Sequence, residues 1–141
     1  MCIFDWLKPQ PVEKTVLTYA EAWRDIAKLA NTGREDDWYH CADIENVMEW
    51  CYACRSECPP YESNSNLAQG FDCDDFAKCF AAYCRRKNLT NAVWEAWGES
   101  PNGYHAWNII RCPDGTYEVE PQTGETWVFG SKPSYKARVL K

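Results

Sequence analysis

Tyr19, Trp23, Ile26, Ala27 and Ala30 recur at helical spacing, and the polar positions between them mark the outer face of a first helix. Thr18 and Glu21 have the spacing of a capping box at its start, and Gly33 supplies a stop. A second helix is predicted from about Asp43 to Arg55, with Ile44, Val47, Met48 and Cys51 on one face and Pro59-Pro60 barring continuation. The polar run Tyr61 to Gly70 leads into a third helix that opens in "DCDDFAKCFAAYC", residues 72 to 84. Beyond it the apolar period falls from about 3.6 residues to about 2. Residues 92–97, 104–111, 116–121, 126–129 and 135–140 read as short strands joined by Pro, Gly, Asn and Asp turns, the pattern of an antiparallel sheet. Helices first and sheet second give an α+β domain, N-terminal helices packed on a C-terminal antiparallel sheet.

Composition narrows the picture. At 141 residues and 45% hydrophobic content the chain holds one core, so residues 1–141 are expected to be a single domain, with 1–17 as a leader and 130–141 as a C-terminal strand or tail. Eight Trp and eight Tyr either fill an irregular core or line a cleft. A net charge of −6 argues against nucleic acid as partner, because phosphate binding rests on clustered Lys and Arg. The basic run Lys132 to Lys141 is expected to be a solvated tail. The N-terminus has no secretory signal pattern and no stretch reaches membrane-spanning length, so no membrane partner and a cytoplasmic location are expected. There, nine cysteines should be thiols, thiolates or metal ligands rather than a disulfide framework.

Candidate chemistry centres on Cys73. Asp72 suits an N-cap and Asp75 the position three residues on, which puts Cys73 in the first helical turn, facing free backbone amides and the positive end of the helix dipole. Such a position favours a thiolate, whereas the three aspartates oppose it, so activation calls for a cation-forming partner. His105 begins a predicted strand, and Glu120 lies on the strand that folds back beside it. Cys, His and Glu in that order have the logic of a cysteine hydrolase, with a thiolate at a helix start, a base and a carboxylate that orients the base. An Asp114-Gly115 turn would set Glu120 opposite Ile109, about four residues and ~13 Å from His105. A wider turn from Cys112, with Gly115 in a left-handed bulge, shifts Glu120 toward Asn108 or Trp107, and Pro113 suits it. Gln122 is the alternative orienter.

In chain order, "DCDDFA" (72 to 77), "HAWN" (105 to 108) and "EPQTG" (120 to 124), with "PPYE" (59 to 62) ahead of them, resemble the papain-like cysteine-protease domain. That domain occurs at the C-terminus of Marasmius-type agglutinins and in small bacterial and phage proteins; more distantly, the chain looks like the transglutaminase-like superfamily. The resemblance covers roughly residues 38 to 125. It implies a papain/transglutaminase-like fold with Cys73 as nucleophile, His105 as base and Glu120 as orienting carboxylate. The implied activity is hydrolysis of a peptide or protein substrate through a thioester, with no required cofactor; acyl transfer to an amine is the same chemistry with another acceptor. Where papain has its oxyanion glutamine this chain has Leu67, with Asn66 and Gln69 nearby, and the Cys73 amide is the first oxyanion donor. Calcium dependence in the agglutinin relative makes Asp72, Asp74 and Asp75 candidate calcium ligands.

A different reading rests on Cys41, Cys51, Cys54 and Cys58, with His40 beside them. These are soft donors in number enough for tetrahedral zinc, although Cys51 and Cys54 also share a helix face with Val47 and Met48. Under that reading the chain is a non-catalytic protein-binding module of the same fold. Cys79 and Cys84 are expected to be core thiols. Trp107 either walls a cleft or packs a sheet face, and Arg111 and Glu118 are placed to pair across the hairpin.

Overall fold

The computed structural model describes residues 15–26, 30–31, 38–61 and 71–141. Its main sheet is six-stranded, in the order β2-β8-β4-β5-β6-β7. The strands are β2 (Ala30–Asn31), β4 (Val93–Ser100), β5 (Gly103–Cys112), β6 (Gly115–Glu120), β7 (Glu125–Val128) and β8 (Lys136–Leu140). All neighbours are antiparallel except β2 and β8, which run parallel. A separate ribbon pairs β1 (Thr15–Thr18) with β3 (Trp38–Cys41). Among the described residues the helices are a single turn α1 (Tyr19–Ala22), α2 (Val47–Glu57), entered through a 3-10 turn at Ile44–Asn46, and α3 (Cys73–Arg86).

Period-2 alternation explains how the sheet is covered. On β4 and β5, Val93 faces Ile110 and both join a core with Val47, Trp50, Cys51, Cys54, Phe80, Tyr83 and Cys84 from α2 and α3. Trp94 faces Ile109, and these join Trp107, Ala96 and Leu140 in a second core on the other face, closed by Trp23, Ile26, Tyr39 and Cys41. A strand buried on both faces needs cover on both, and the period-2 reading of residues 104–111 did not anticipate the second cover.

That second face corrects the expected fold class. The N-terminal third does not form only helices for one side of a sheet; it contributes strands β1, β2 and β3, and the β-sheet dominates the molecule. The first helix is the clearest case. Thr18 and Glu21 do form the reciprocal cap, with the Thr18 amide 2.9 Å from Glu21 Oε2 and the Glu21 amide 3.3 Å from Thr18 Oγ1. Yet the helix ends at Ala22, and Trp23 and Ile26 enter the second core from a turn. Ala30, expected on the helix face, lies in β2 against β8. A cap satisfies amides locally, whereas tertiary burial decides how far a helix runs. Gly33, most of the expected leader and the 62–70 loop lie outside the described residues. The C-terminal segment is no tail: β8 pairs with β4, and Lys141 exchanges backbone hydrogen bonds with Glu95.

Candidate functional site

The start of α3 presents Cys73. Asp72 is the N-cap, with extended backbone, and forms a capping box with Asp75, whose Oδ2 accepts from the Asp72 amide at 3.3 Å. Cys73 is half-buried in the first turn, as the spacing predicts. Asn108 ties this helix to the sheet: its buried amide donates to the carbonyls of Ala77 at 2.9 Å and Trp94 at 3.1 Å. One side chain therefore fixes α3, β4 and β5 relative to one another, one helical turn from Cys73. Sequence reasoning assigned Asn108 no role, although an amide inside an apolar strand run was the signal for one.

Hairpin register brings His105 and Glu120 together. Cys112 pairs with Gly115, so the turn is the two residues Pro113-Asp114, and Asn108 pairs with Val119. Glu120 then falls across from Trp107, as the wider turn predicted, without a left-handed Gly115. His105 lies two residues from Trp107 on the same face, a diagonal neighbour within reach of long side chains. His105 Nε2 is 2.6 Å from Glu120 Oε2, a charge-assisted contact. The second carboxylate oxygen, Oε1, accepts from the Gln122 amide at 3.4 Å, so Gln122 supports Glu120 rather than replacing it. The turn after β6 is held by the Glu120 carbonyl, which accepts from the Gly124 amide at 2.8 Å, and by Arg55, whose guanidinium donates to the Gln122 carbonyl.

The same histidine hydrogen-bonds Cys73. With Nε2 committed to Glu120, Nδ1 is the ring nitrogen left for the thiol. Burial works against the imidazolium, but the hydrogen bonds from Cys73 and Glu120 and the charge of both outweigh it, raising the His105 pKa to about 9. His105 is therefore an imidazolium at neutral pH, held between the Glu120 carboxylate and the Cys73 side chain. The three residues singled out in the sequence do meet.

Behind them lies an aromatic wall. Trp107 stacks on His105 with ring centroids 6.0 Å apart, and Tyr135 meets both rings edge-on. Trp107 is fully buried, so it backs the site as a packing residue instead of lining a cleft. Its indole donates to Glu118 Oε1 at 3.0 Å, while Trp127 and the Gly130 amide donate to Oε2 at 2.7 and 3.2 Å. Glu118 thus binds indoles rather than pairing with Arg111. Burial raises its pKa, and the three donors oppose that rise.

The metal candidates fare differently. Cys41 sits in the second core and Cys51 and Cys54 in the first, so the four cysteines are not gathered. Burial pushes the Cys41 thiol up to about 11 and the Cys51 thiol up to about 12, against ionisation. His40 is exposed, and its backbone is bound by Asn91 and Thr90. Among the described residues the one group with ligand atoms all within 4.8 Å is Asp72, Asp74 and Asp75. Asp72 and Asp75 are engaged in the cap and Asp74 in an ion pair with Lys78. Asn66, Leu67 and Gln69 lie outside the described residues.

No family model and no curated protein matches this chain. Solved structures do. One, a PSL1a–E64 complex, shares 20% identity with a TM-score of 0.68 over 89% of this chain and 50% of its own. Another, Polyporus squamosus lectin bound to the human-type influenza-binding epitope Neu5Aca2-6Galb1-4GlcNAc, shares 20% identity and a TM-score of 0.68 over 89% of this chain and 49% of its own. The chain therefore spans about half the length of each, and at this identity the likeness shows the fold. It corrects the sequence reading: the second of these neighbours is a lectin, so membership of the papain-like protease family, the papain/transglutaminase-like fold, and the activity of a cysteine hydrolase or acyl transferase on peptides are not sustained. The fold is one shared with part of a lectin.

Proposed function

We propose that this chain is a ligand-binding domain, with a glycan as ligand class and with Cys73, His105 and Glu120 as its site. The ligand class is supported by the lectin neighbour, which was solved bound to a sialylated trisaccharide. The site is supported by one observation above the rest, the 2.6 Å contact that holds a charged imidazole between a carboxylate and a half-buried thiol. Such a group offers a hydrogen-bond donor, an acceptor and a soft nucleophile at one place, enough to orient a polar ligand.

A specific observation favours a second ligand. The other neighbour is a complex with E64, and Cys73 beside an imidazolium is placed to engage a thiol-directed molecule. The experiment runs both ligands against one readout. The trisaccharide Neu5Acα2-6Galβ1-4GlcNAc and, separately, E64 are added to the full chain while the His105 ring resonances are followed by NMR and the protein mass is recorded. Saturable shifts of His105 with the trisaccharide support the glycan reading; a stable mass adduct of E64 on Cys73, lost in His105→Ala, supports the second. No His105 shift with the trisaccharide at millimolar concentration sinks the first, and E64 spread over many cysteines or bound to none sinks the second.

A further inference from the structure

Two cysteines that the site does not use meet at the end of α2. Cys54 is buried at 4% exposure among Cys51, Phe80 and Tyr83 in the first core, and Cys58 is half-buried and packs against the same core. Their sulfurs are in contact, 4.0 Å apart. Cys58 is the C-cap, where the backbone leaves the helix at φ −97° and ψ 154° while its amide still donates to the Arg55 carbonyl at 3.1 Å. Its α-carbon therefore stays on the helical path, and a rise of about 1.5 Å per residue sets it ~6 Å from that of Cys54. That separation lies inside the roughly 4.4 to 6.8 Å that disulfides span. Between the two cysteines stand Arg55 and Glu57, the side chains that fasten this end of α2. Arg55 donates to the Gln122 carbonyl, two residues beyond Glu120, and Glu57 Oε2 accepts from Arg86 of α3 at 2.8 Å.

We propose that Cys54 and Cys58 form an oxidation site, closed by a peroxide into a disulfide that fixes the last turn of α2. Exposure sets the order of events. Cys58 is the thiol a small oxidant reaches first, and Cys54, sealed in the core, is the resolving thiol already in contact with it. Burial holds the Cys54 thiol well above the ordinary thiol range, which keeps it protonated until Cys58 has reacted. The Cys58 thiolate attacks one peroxide oxygen, the O–O bond breaks and hydroxide leaves, giving a sulfenic acid. The Cys54 sulfur then attacks the Cys58 sulfur while its proton passes to the departing hydroxide, which forms the S–S bond and a water. The sum is two thiols and one hydrogen peroxide to one disulfide and two waters, with two electrons passed to the peroxide. The contact must shorten from 4.0 Å to about 2 Å, which a rotation of the Cys58 side chain outside the helix can supply. Cys79, half-buried on α3 against the same core, is the competing thiol. Cys54 is favoured because it is four residues away, and a short loop costs less entropy to close than one spanning two helices. The closed ring holds Arg55 and Glu57, so oxidation locks the turn from which α2 grips the Gln122 turn and α3.

The test uses the full chain treated with dilute hydrogen peroxide, blocked with iodoacetamide and mapped by mass spectrometry without reduction. Trypsin and a glutamate-specific protease cut after Arg55 and Glu57 and so part the two cysteines. The expected result is a dithiothreitol-reversible link between peptides 50–55 and 58–62, with fragment ions placing the bond on Cys54 rather than Cys51. Cys58→Ser removes the link, and Cys79→Ser leaves it in place. A Cys58 that stays fully alkylated while other cysteines oxidise overturns the proposal, as does a wild-type map joining Cys58 to Cys79 or ending in sulfinic acid at Cys58. The wild-type map decides the matter even where a variant folds poorly.

Discussion

Replacing Glu120 with Gln keeps the size of the side chain and removes the charge of one of the two partners, Cys73 and Glu120, that together raise the His105 pKa. The His105 pKa of about 9 stands above its ordinary 6.5, and a rise of that size corresponds to roughly 3 kcal/mol of stabilisation of the folded imidazolium. The His105 side chain is 19% exposed, and solvent and counterions reduce this to about 2 kcal/mol. The sign follows from the direction of the shift. A group whose folded pKa is raised stabilises fully below its unfolded pKa, so this contribution is present below 6.5 and lost as pH rises toward 9. Urea unfolding of the wild type should therefore weaken by about 1 to 2 kcal/mol between about pH 6 and about pH 8.5, and Glu120→Gln should flatten part of that slope, leaving the part that Cys73 supplies. The window stops short of pH 9 because Cys41, Cys51 and Cys112 are held up at about 11 to 12, and their unfolded thiols begin to ionise there. NMR gives the direct measurement, since the chain has two histidines and His40→Asn assigns the pair. A His105 that titrates near 6.5 in the wild type, or one unmoved by Glu120→Gln, refutes the reasoning.

Asn108→Ala removes both ties from α3 to the sheet and should cost about 2 kcal/mol in urea unfolding while loosening the Cys73–His105 contact, seen as a lower His105 pKa. Gly98→Ala should cost more than 2 kcal/mol, by the order of such backbone clashes, because a Cβ there would lie 2.0 Å from the Lys136 carbonyl oxygen where the β4–β8 register shifts; an unchanged Tm contradicts it. Glu118→Leu strands the indoles of Trp107 and Trp127 and the Gly130 amide, with an expected loss of about 3 kcal/mol and a changed Trp fluorescence spectrum; a neutral result would mean that water replaces the carboxylate.

The parts of the fold legible in the sequence were those set by local pattern. The five C-terminal strands, the start of α3 at Asp72 and the cap at Thr18 depend on period and on short-range hydrogen bonds, and the structure has them near the expected residues. What periodicity missed was set by distant partners. Tyr39 and Cys41 alternate inward on β3 only because β1 lies beside them and Trp94 beneath, and the four-residue α1 stops where Trp23 and Ile26 turn into that core. The site residues were legible individually, because a thiol at a helix start and a histidine on a facing strand are visible from spacing. What they do together was not, since the same three side chains serve several chemistries and the likeness to the solved structures resides in the path of the backbone.

Glu118 and Glu120 are the same residue type, two positions apart on one face of β6, and each reaches diagonally to a ring on β5. What separates their roles is the neighbour. Glu118 meets Trp107, a donor that cannot change its charge, and Trp127 closes its other side, so the carboxylate is fully occupied and sealed at 1% exposure. Glu120 meets His105, whose charge can change, at the strand end where the thiol of Cys73 arrives from α3. One pair is therefore a structural clasp and the other a titratable site. The step between them is a single turn of the β pleat, fixed by the two-residue Pro113-Asp114 turn. A register slip of one residue would send both carboxylates to the opposite face. The clasp stabilises that register through three donors, and in doing so it holds Glu120 where His105 can use it.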